Sequence, residues 1–380
     1  MIKKRLFAPG PTMVPPEVLL ELARPVTHHR TAEFRALLKE VNELLKVVFQ
    51  TERDVYCLTG SGTVAMEAAV ANVVGRGEKM LAVVGGKFGE RWRDLGKAFG
   101  ADVRTLDVEW GTAVDPQQIA DALKAEPDIA AVYVTHSDTS TATAIDLKAV
   151  AEVVGRTGAV LAADCITSIG ALEMRTDAWG VDIPVTGSQK ALMLPPGLAM
   201  LSCSQKAMDK IARTEAPVYY TKIPAYAKSL AGGDTPYTPA NTLILALKRS
   251  LEMIHAEGLE NVWVATSLRA RAVREAAAAL GLRVFSKNPS DSVTALCVPD
   301  GIDGEKLPKV MAAGYGLRVA GGQSQLKGKI VRFSHMGYVD AFDTLAQVAG
   351  LEMALGDLGH PVAVGAGVAA AQKVLAGAGG

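Results

Sequence analysis

Short apolar runs alternate with amphipathic segments through the first half of the chain. We predict a strand at each run and helices between them, because strands separated by helices are typical of a mostly parallel sheet covered on both faces. The pattern therefore predicts an α/β fold whose functional side chains gather at the carboxyl ends of the strands. The predicted strands cover residues 54–58, 80–84, 130–134, 158–164, 181–185 and 198–202, and the predicted helices include 64–74, 117–124 and 147–154.

Proline interrupts this pattern at two places. Pro184 lies in the run 181–185, and because proline cannot donate to a ladder, we expect this strand to be short or irregular. Residues 216–241 hold several prolines and the pair Gly232-Gly233, which predicts a long loop with a function rather than a plain connector.

The pattern after residue 240 predicts a second, smaller α/β region. A helical stretch breaks near Gly258, strands then alternate with helices, and an Ala- and Gly-rich tail predicts a last helix and frayed end residues. We expect an N-terminal arm over 1–20, a large domain over 21–257 and a small C-terminal domain over 258–380. The predicted elements are helical segments at 240–281, 303–313, 339–355 and 366–375 and strands at 292–298 and 329–334.

Composition excludes several classes of protein. Lys plus Arg and Asp plus Glu both number 40, and this zero net charge argues against a nucleic-acid or membrane-surface partner held by charge. No apolar run approaches the roughly 18 residues of a membrane helix, and prolines soon after the basic N-terminus leave no apolar signal region. The scattered cysteines Cys57, Cys165, Cys203 and Cys297 form no CxxC pair, so we expect no metal site and a reducing cytoplasm.

A lysine and an aspartate stand at the ends of two apolar runs. Lys190 lies in a turn bounded by Gly187 and Gly197, where loss of hydration lowers the pKa of an amine and makes it nucleophilic. Asp164 ends the run 158–164, where a carboxylate faces a ligand crevice. A lysine for an imine and a carboxylate for a pyridinium nitrogen are what a pyridoxal phosphate enzyme requires. For either residue alone, a solvated lysine or a helix cap is the alternative.

Two glycine-rich turns also follow predicted strands. The turn Thr59-Gly60-Ser61-Gly62-Thr63 opens a helix, which suits a phosphate or is simply a capped turn. The Walker pattern is missing here, and GxGxxG is absent from the turn at Gly85. Phe88 in the second turn is either a stacking partner for a flat ring or a core aromatic.

Two further groups have candidate roles. The polar cluster 135–141 can bond a ring hydroxyl or cap helices. Arg332 lies in a predicted strand, where its planar guanidinium suits a carboxylate ligand or an edge-strand ion pair.

Together these residues resemble the class V aminotransferases of PLP fold type I, closest to the alanine-glyoxylate and serine-pyruvate aminotransferase group. The resemblance spans nearly the whole chain, from Pro9-Gly10-Pro11-Thr12 through Ser61-Gly62-Thr63 and Asp164 to Gly187-Ser188-Gln189-Lys190-Ala191 and Arg332. It implies pyridoxal 5′-phosphate, a large domain with a mostly parallel mixed sheet flanked by helices, a smaller C-terminal α/β domain, and a homodimer that shares its active site across the interface.

The resemblance also implies a role for each site residue. Lys190 would form the Schiff base with the cofactor and carry the proton at substrate Cα, Asp164 would keep the ring nitrogen protonated, and Arg332 would bind the substrate α-carboxylate. Phe88 would stack on the ring, and Thr139 or its neighbour Ser140 would contact the ring oxygen. The phosphate contacts would be Ser61, Gly62, Thr63 and Gln189, with Thr238 reaching the phosphate of the partner subunit.

The chain departs from animal members of the group at Thr63, where they have His, and in the loop Asp234-Thr235-Pro236-Tyr237 before Thr238. Arg30 is a candidate for a second carboxylate or a phosphonate, or a solvated surface arginine. The predicted function is transfer of an amino group from alanine or serine to glyoxylate or pyruvate.

Three different functions stay open beside it. The first is that of a ureidoglycine or aminophosphonate aminotransferase. The second is that of a cysteine desulfurase or another PLP lyase, which would need a nucleophilic cysteine, and the candidate loop 320–325 has none. The third, from another class, is that of a non-enzymatic subunit of a redox complex.

Overall fold

The computed structural model describes residues 2–377. Its strands are β1 (Arg5–Leu6), β2 (Val55–Gly60), β3 (Lys79–Val84), β4 (Asp102–Asp107), β5 (Ala131–Thr135), β6 (Ser137–Asp138), β7 (Thr143–Ala144), β8 (Val160–Asp164), β9 (Ile183–Gly187), β10 (Gly197–Ser202), β11 (Val293–Cys297), β12 (Leu317–Arg318), β13 (Ala320–Gly321) and β14 (Ile330–Ser334). Its helices are α1 (Pro16–Leu22), α2 (Ala32–Phe49), α3 (Gly62–Ala71), α4 (Lys87–Ala98), α5 (Pro116–Ala125), α6 (Leu147–Gly155), α7 (Thr176–Trp179), α8 (Gln205–Arg213), α9 (Ile223–Ala231), α10 (Asn241–Glu257), α11 (Leu259–Ala279), α12 (Leu307–Tyr315), α13 (Ala341–Asp357) and α14 (Ala366–Ala376).

A seven-stranded sheet in the order β2-β10-β9-β8-β5-β3-β4 forms the centre of the molecule. Strand β10 runs antiparallel to both of its neighbours, and the other pairs are parallel. This confirms the predicted α/β fold with a mostly parallel mixed sheet. The register places Thr135 opposite Asp164 and Asp164 opposite Val185, so the carboxyl ends of β5, β8 and β9 meet at one edge.

Side chains from alternate positions of these strands feed separate cores on the two faces of the sheet. In β5, Val132 and Val134 belong to one buried cluster, and Ala131 and Tyr133 belong to the other. This follows from the period of two in a strand, and it explains why a strand buried on both faces reads as a continuous apolar run. None of the helices within residues 2–377 combines the length and apolar character needed to cross a membrane.

Three details of the sequence-based prediction were wrong or missed. Strand β9 is a regular five-residue strand paired on both sides, although it contains Pro184. Edge strand β4 was missed because its residues are largely polar and only partly buried. The predicted loop 216–241 contains helix α9, and Pro224 is tolerated there because it lies in the first turn, where no intrahelical partner for an N–H exists.

A second, three-stranded antiparallel sheet in the order β11-β14-β13 packs with α11, α12 and α13. Short strand β1 pairs with β12, and the Ser334 amide donates to the Phe7 carbonyl, so the start of the chain is bound to this region. The predicted break at Gly258 is present, with φ 85°. Helix α14 matches the predicted tail helix, and the predicted fraying beyond it reaches residues 378–380, outside the described residues. The proposed division at residues 20 and 257 stays a prediction.

Candidate active site

Lys190 lies in the turn that follows β9, at the carboxyl edge of the large sheet. Its side chain is 8% exposed, and burial lowers the pKa of its amine to about 8. The Nζ atom donates to the Pro9 carbonyl, and the Thr12 hydroxyl donates to the Lys190 carbonyl at 2.7 Å. Gly10, with φ 119°, packs so closely that a Cβ would overlap the Lys190 side chain. The N-terminal segment therefore forms one wall around the amine.

Asp164 ends β8 and is 3% exposed. The only hydrogen bond to its carboxylate from the described residues is the Ile166 amide, 2.9 Å from Oδ1. The pKa of this carboxyl is raised to about 7, mainly by burial and also by the charge of Asp138, although the Ile166 amide, Arg91 and Lys190 act to lower it. A buried carboxylate with so few partners is suited to a cationic or N–H donor ligand.

The start of helix α3 forms a second part of the site. Its N-cap residue, Ser61, makes no side-chain capping bond, so the first amides of the helix have no cap. Gly62 lies against Gly187, and a Cβ at Gly62 would overlap the Ile166 side chain, so the closely packed turn has room only for glycine. Gln189 Oε1 is buried and has no partner among the described residues. Free amides at a helix start together with a side-chain amide suit a phosphate group.

Phe88 begins helix α4 beside this turn. Its ring is half-buried, and the Arg91 guanidinium carbon lies 4.9 Å from the ring centroid. Arg91 Nη1 also donates to the Thr63 hydroxyl at 3.1 Å. One face of the ring is thus against a cation, and a guanidinium charge lies next to the candidate phosphate site.

Arg332 reaches the same area from β14. It is 5% exposed, and burial lowers its pKa to about 10. Nη1 donates to the Thr139 carbonyl at 2.6 Å, while Nε and Nη2 donate to the Gly321 carbonyl at 2.9 and 2.6 Å. Within the described chain no carboxylate lies within 4.0 Å of its nitrogens, which leaves a buried positive charge for an anionic ligand.

Two candidates lie elsewhere on this chain. Thr238 is exposed in the loop after α9. Arg30 is 47% exposed and forms an ion pair with Asp234 at 2.6 Å. The remaining candidates belong to elements that meet at the carboxyl edge of the large sheet: Ser61, Gly62, Thr63, Phe88, Thr139, Asp164, Gln189, Lys190 and Arg332.

Sequence reasoning assigned no role to three groups that the structure brings to the site. Asp138 is a buried carboxylate inside the polar cluster 135–141. Its position in that cluster is the feature of the sequence from which it could have been identified as a site residue. Arg91 touches Thr63 and Phe88, and Pro9 contacts Lys190. Arg91 carried no signal, and Pro9 stood out only as part of the motif Pro9-Gly10-Pro11-Thr12, because both contacts depend on how distant elements pack.

The donor set fits pyridoxal phosphate. The uncapped start of α3 suits its phosphate, because backbone N–H groups donate to an anion, and the Asp164 carboxylate suits a protonated ring nitrogen. The Gln189 side chain can add a donor through its NH2 group. The Lys190 amine, whose pKa is lowered by burial, suits its aldehyde carbon.

Comparisons with known proteins agree with this geometry. The Aminotransferase class-V family profile matches residues 5–343. The chain is 41% identical to the soluble hydrogenase 42 kDa subunit of Anabaena cylindrica, covering 98% of this chain and 99% of that protein. It is 37% identical to the serine--glyoxylate aminotransferase of Methylorubrum extorquens, covering 98% of this chain and 96% of that protein.

Among solved structures, the ureidoglycine-glyoxylate aminotransferase of Bacillus subtilis superposes with a TM-score of 0.95 at 29% identity and covers 99% of each chain. Both the family match and the buried lysine–aspartate pair point to one chemistry. The chain belongs to the class V aminotransferase family of PLP fold type I, and it is a transaminase that uses pyridoxal phosphate.

Proposed function

We propose that this enzyme moves the amino group of serine or alanine to a small 2-oxo acid, with glyoxylate preferred and pyruvate as a second acceptor. The observation that carries the proposal is the buried Arg332 guanidinium, which has no carboxylate partner among the described residues and lies beside the Thr139 turn. Such a group binds the α-carboxylate that every amino acid and 2-oxo acid shares. The glyoxylate named for two similar proteins supports the choice of acceptor.

Three side chains of this protein have separate roles in the proposed reaction. Pyridoxal phosphate, when bound, supplies a conjugated ring that accepts the electron pair released at substrate Cα. Arg332 holds the carboxylate, and the neutral Lys190 amine takes the proton from Cα and later returns it. A pKa of about 8 leaves a useful fraction of this amine neutral near physiological pH. Asp164 stabilises positive charge at the ring nitrogen.

We assign the cofactor contacts to residues that the structure leaves available. Ser61, Gly62, Thr63 and Gln189 would bind the phosphate, and Phe88 would stack on the ring. For the ring oxygen we favour Thr139, because the Ser140 hydroxyl already donates to Asp138 and accepts from the Lys87 amide. No hydrogen bond from the described residues reaches the Thr139 hydroxyl.

We also propose a cytoplasmic homodimer in which Thr238 contacts the cofactor phosphate of the partner subunit. Its exposure on a single chain supports this assignment, as do the exposed apolar side chains of Leu19, Leu20 and Val26. The four cysteines are unpaired, which is consistent with a reducing compartment.

A half-reaction screen tests the substrate assignment. The PLP-loaded enzyme is mixed with one amino acid at a time, and conversion to the pyridoxamine form is followed by absorbance. We expect serine and alanine to convert the enzyme faster than other amino acids. Failure of both would overturn the substrate choice, and conversion by ureidoglycine or an aminophosphonate alone would identify that compound as the amino donor.

The desulfurase and redox-subunit hypotheses have separate tests. A desulfurase would release sulfide from cysteine, although the loop 320–325 holds no cysteine to accept the sulfur. The name of the Anabaena cylindrica relative raises the redox-subunit hypothesis. A non-enzymatic subunit would stay colourless after PLP is added, and we expect instead the absorption of a bound imine.

A further inference from the structure

Helix α4 begins without a cap of its own. Its N-cap residue, Gly86, has no side chain, and the first helical amides need acceptors from elsewhere. Those acceptors come from the turn after β5. The Phe88 amide donates to Asp138 Oδ2 at 3.1 Å, and the Lys87 amide donates to the Ser140 hydroxyl at 3.0 Å. A Cβ at Gly86 would overlap the Asp138 carboxylate, so the two segments are packed in direct contact.

The turn 138–140 is itself held together by the same carboxylate. Asp138 Oδ1 accepts from the Ser140 amide at 2.8 Å and from the Ser140 hydroxyl at 2.5 Å. Asp138 therefore accepts three hydrogen bonds, two from its own turn and one from α4. This rigid junction fixes the distance between the start of α4 and the carboxyl end of β5.

Three parts of the site meet at this junction. The α4 end carries Phe88, the turn carries Thr139, and the Thr139 carbonyl accepts from Arg332 Nη1 at 2.6 Å. The charge of Asp138 also raises the pKa of Asp164, Lys190 and Arg332, against the larger effect of burial on the two cations. A shift of the turn would move the stacking aromatic and the carboxylate-binding arginine together.

We propose that Asp138 is a positioning residue, which caps helix α4 from another segment and thereby sets the mutual placement of Phe88, Thr139 and Arg332 around the cofactor and the substrate carboxylate. This inference rests on the roles proposed above for those three residues. Asp138 acts through its neighbours and touches no reacting atom.

The chain offers a matched control in Asp182, which precedes β9 at the opposite end of the sheet. Both aspartates are 6% exposed. Asp182 Oδ2 accepts from the Leu161 amide at 2.9 Å, and Oδ1 accepts from the hydroxyl of Ser204, the N-cap of α8. Asp138→Asn and Asp182→Asn thus replace one oxygen with an N–H donor in equally buried carboxylates, and each change removes at least one accepted backbone or hydroxyl hydrogen bond. Asp182→Asn also removes the ion pair with Lys206 Nζ, which lies 3.2 Å from Oδ2.

The experiment compares the two variants with the wild-type enzyme by thermal unfolding, by the Kd for pyridoxal phosphate, by visible circular dichroism of the bound cofactor, and by KM and kcat for the amino donor. Both variants are expected to unfold at a lower temperature. Only Asp138→Asn is expected to raise the cofactor Kd and the donor KM, each about 10-fold, and to change the circular dichroism band. Equal Kd, KM and circular dichroism in the two variants would overturn the proposal.

Ser140→Ala keeps the inference testable if Asp138→Asn does not fold. It removes the hydroxyl that bonds Asp138 and Lys87 while keeping the carboxylate, so changes of the same kind but smaller size are expected. Wild-type cofactor affinity and circular dichroism in Ser140→Ala would count against the proposal. The wild-type half-reaction separates the two levels: if it fails with every amino acid, the proposed function is wrong, and the cofactor Kd and circular dichroism still decide the role of Asp138.

Discussion

Buried carboxylates at the two ends of the large sheet differ in how many partners the protein supplies to them. At the amino end, Asp182 accepts hydrogen bonds from Leu161 and Ser204 and has Lys206 Nζ at 3.2 Å. At the carboxyl end, Asp164 accepts one hydrogen bond, from the Ile166 amide, and burial raises its pKa to about 7. Asp164 ends β8 and Asp182 directly precedes the neighbouring strand β9, so the contrast arises from what surrounds the two ends of these strands.

This difference separates a structural end from a functional one. A carboxylate whose partners are all supplied by the protein adds rigidity, whereas one with missing partners costs free energy until a ligand arrives. The charged forms of Lys190 and Arg332 also cost free energy at this end of the sheet, since burial lowers the pKa of both side chains. In the proposed site, the protonated ring nitrogen of the cofactor would supply a partner for Asp164, and the substrate carboxylate would supply one for Arg332.

Removing the amine at the functional end gives the largest expected effect. Lys190→Ala deletes the group proposed to form the imine and to carry the proton, so turnover should fall by about 10⁴-fold or more. The visible absorption of the bound imine should disappear as well. Lys206→Ala, which removes a partly exposed amine at the structural end, should retain both. Persistence of the imine band in Lys190→Ala would refute the site assignment.

The second-largest loss of activity is expected when Asp164, the proposed partner of the ring nitrogen, is replaced. Asp164→Asn is isosteric but cannot stabilise a cation, so kcat should fall about 10²-fold, as expected for a lost electrostatic interaction at the reacting ring. Single-turnover absorbance with serine measures the change. Asp182→Asn should lower thermal stability and leave kcat unchanged. Equal kcat losses in the two variants would erase the distinction between the ends of the sheet.

A substitution of Arg332 in β14 tests whether this buried cation binds the substrate carboxylate. Arg332→Lys retains charge but loses the planar guanidinium that binds a carboxylate with two hydrogen bonds. We expect the KM of the amino donor to rise about 10-fold to 100-fold, with a smaller change in kcat. Arg274→Lys is the control, because Arg274 forms an ion pair with Asp291 at 2.7 Å. A donor KM that stays constant in Arg332→Lys would remove Arg332 from the substrate site.

A substitution of Gly10 tests whether the N-terminal segment holds the Lys190 amine in place. Gly10→Ala introduces a Cβ that overlaps the Lys190 side chain at a φ of 119°, so the amine should shift and kcat should fall about 10-fold. Gly155→Ala, with open space around its Cβ position, should leave kcat unchanged. Wild-type kcat in Gly10→Ala would show that the N-terminal segment does not hold Lys190 in place.

The last prediction concerns the free energy of unfolding of the cofactor-free protein, which should depend on pH. Because the pKa of Asp164 rises from 3.8 to about 7 on folding, its contribution is fully present below pH 3.8 and is lost as the pH rises to about 7. The full loss is on the order of 4 kcal/mol by linkage. Asp164→Asn should lack this slope in urea unfolding between these pH values. An identical slope in both proteins would contradict the raised pKa.

Much of the fold could be predicted from local pattern. The apolar runs identified β2, β3, β5, β8 and β10 because a strand buried on both faces reads as a continuous apolar segment. The sequence pattern did not predict edge strand β4, because its partly exposed position allows polar residues. It did not predict α9 either, because Pro224 indicates a loop unless it is known to lie in the first turn of a helix. The site residues at strand ends followed from the same pattern, because parallel strands bring their carboxyl ends together.

The sequence by itself determined the α/β fold and indicated the lysine and aspartate of the proposed site at its carboxyl edge, since both depend on short-range patterns and on motifs of adjacent residues. The tertiary structure alone decided which distant groups surround them. Lys190 contacts Pro9 across 181 positions, Arg332 contacts Thr139 across 193, and Phe88 contacts Asp138 across 50. No local preference encodes such pairs, because each exists only after separate elements have packed against one another.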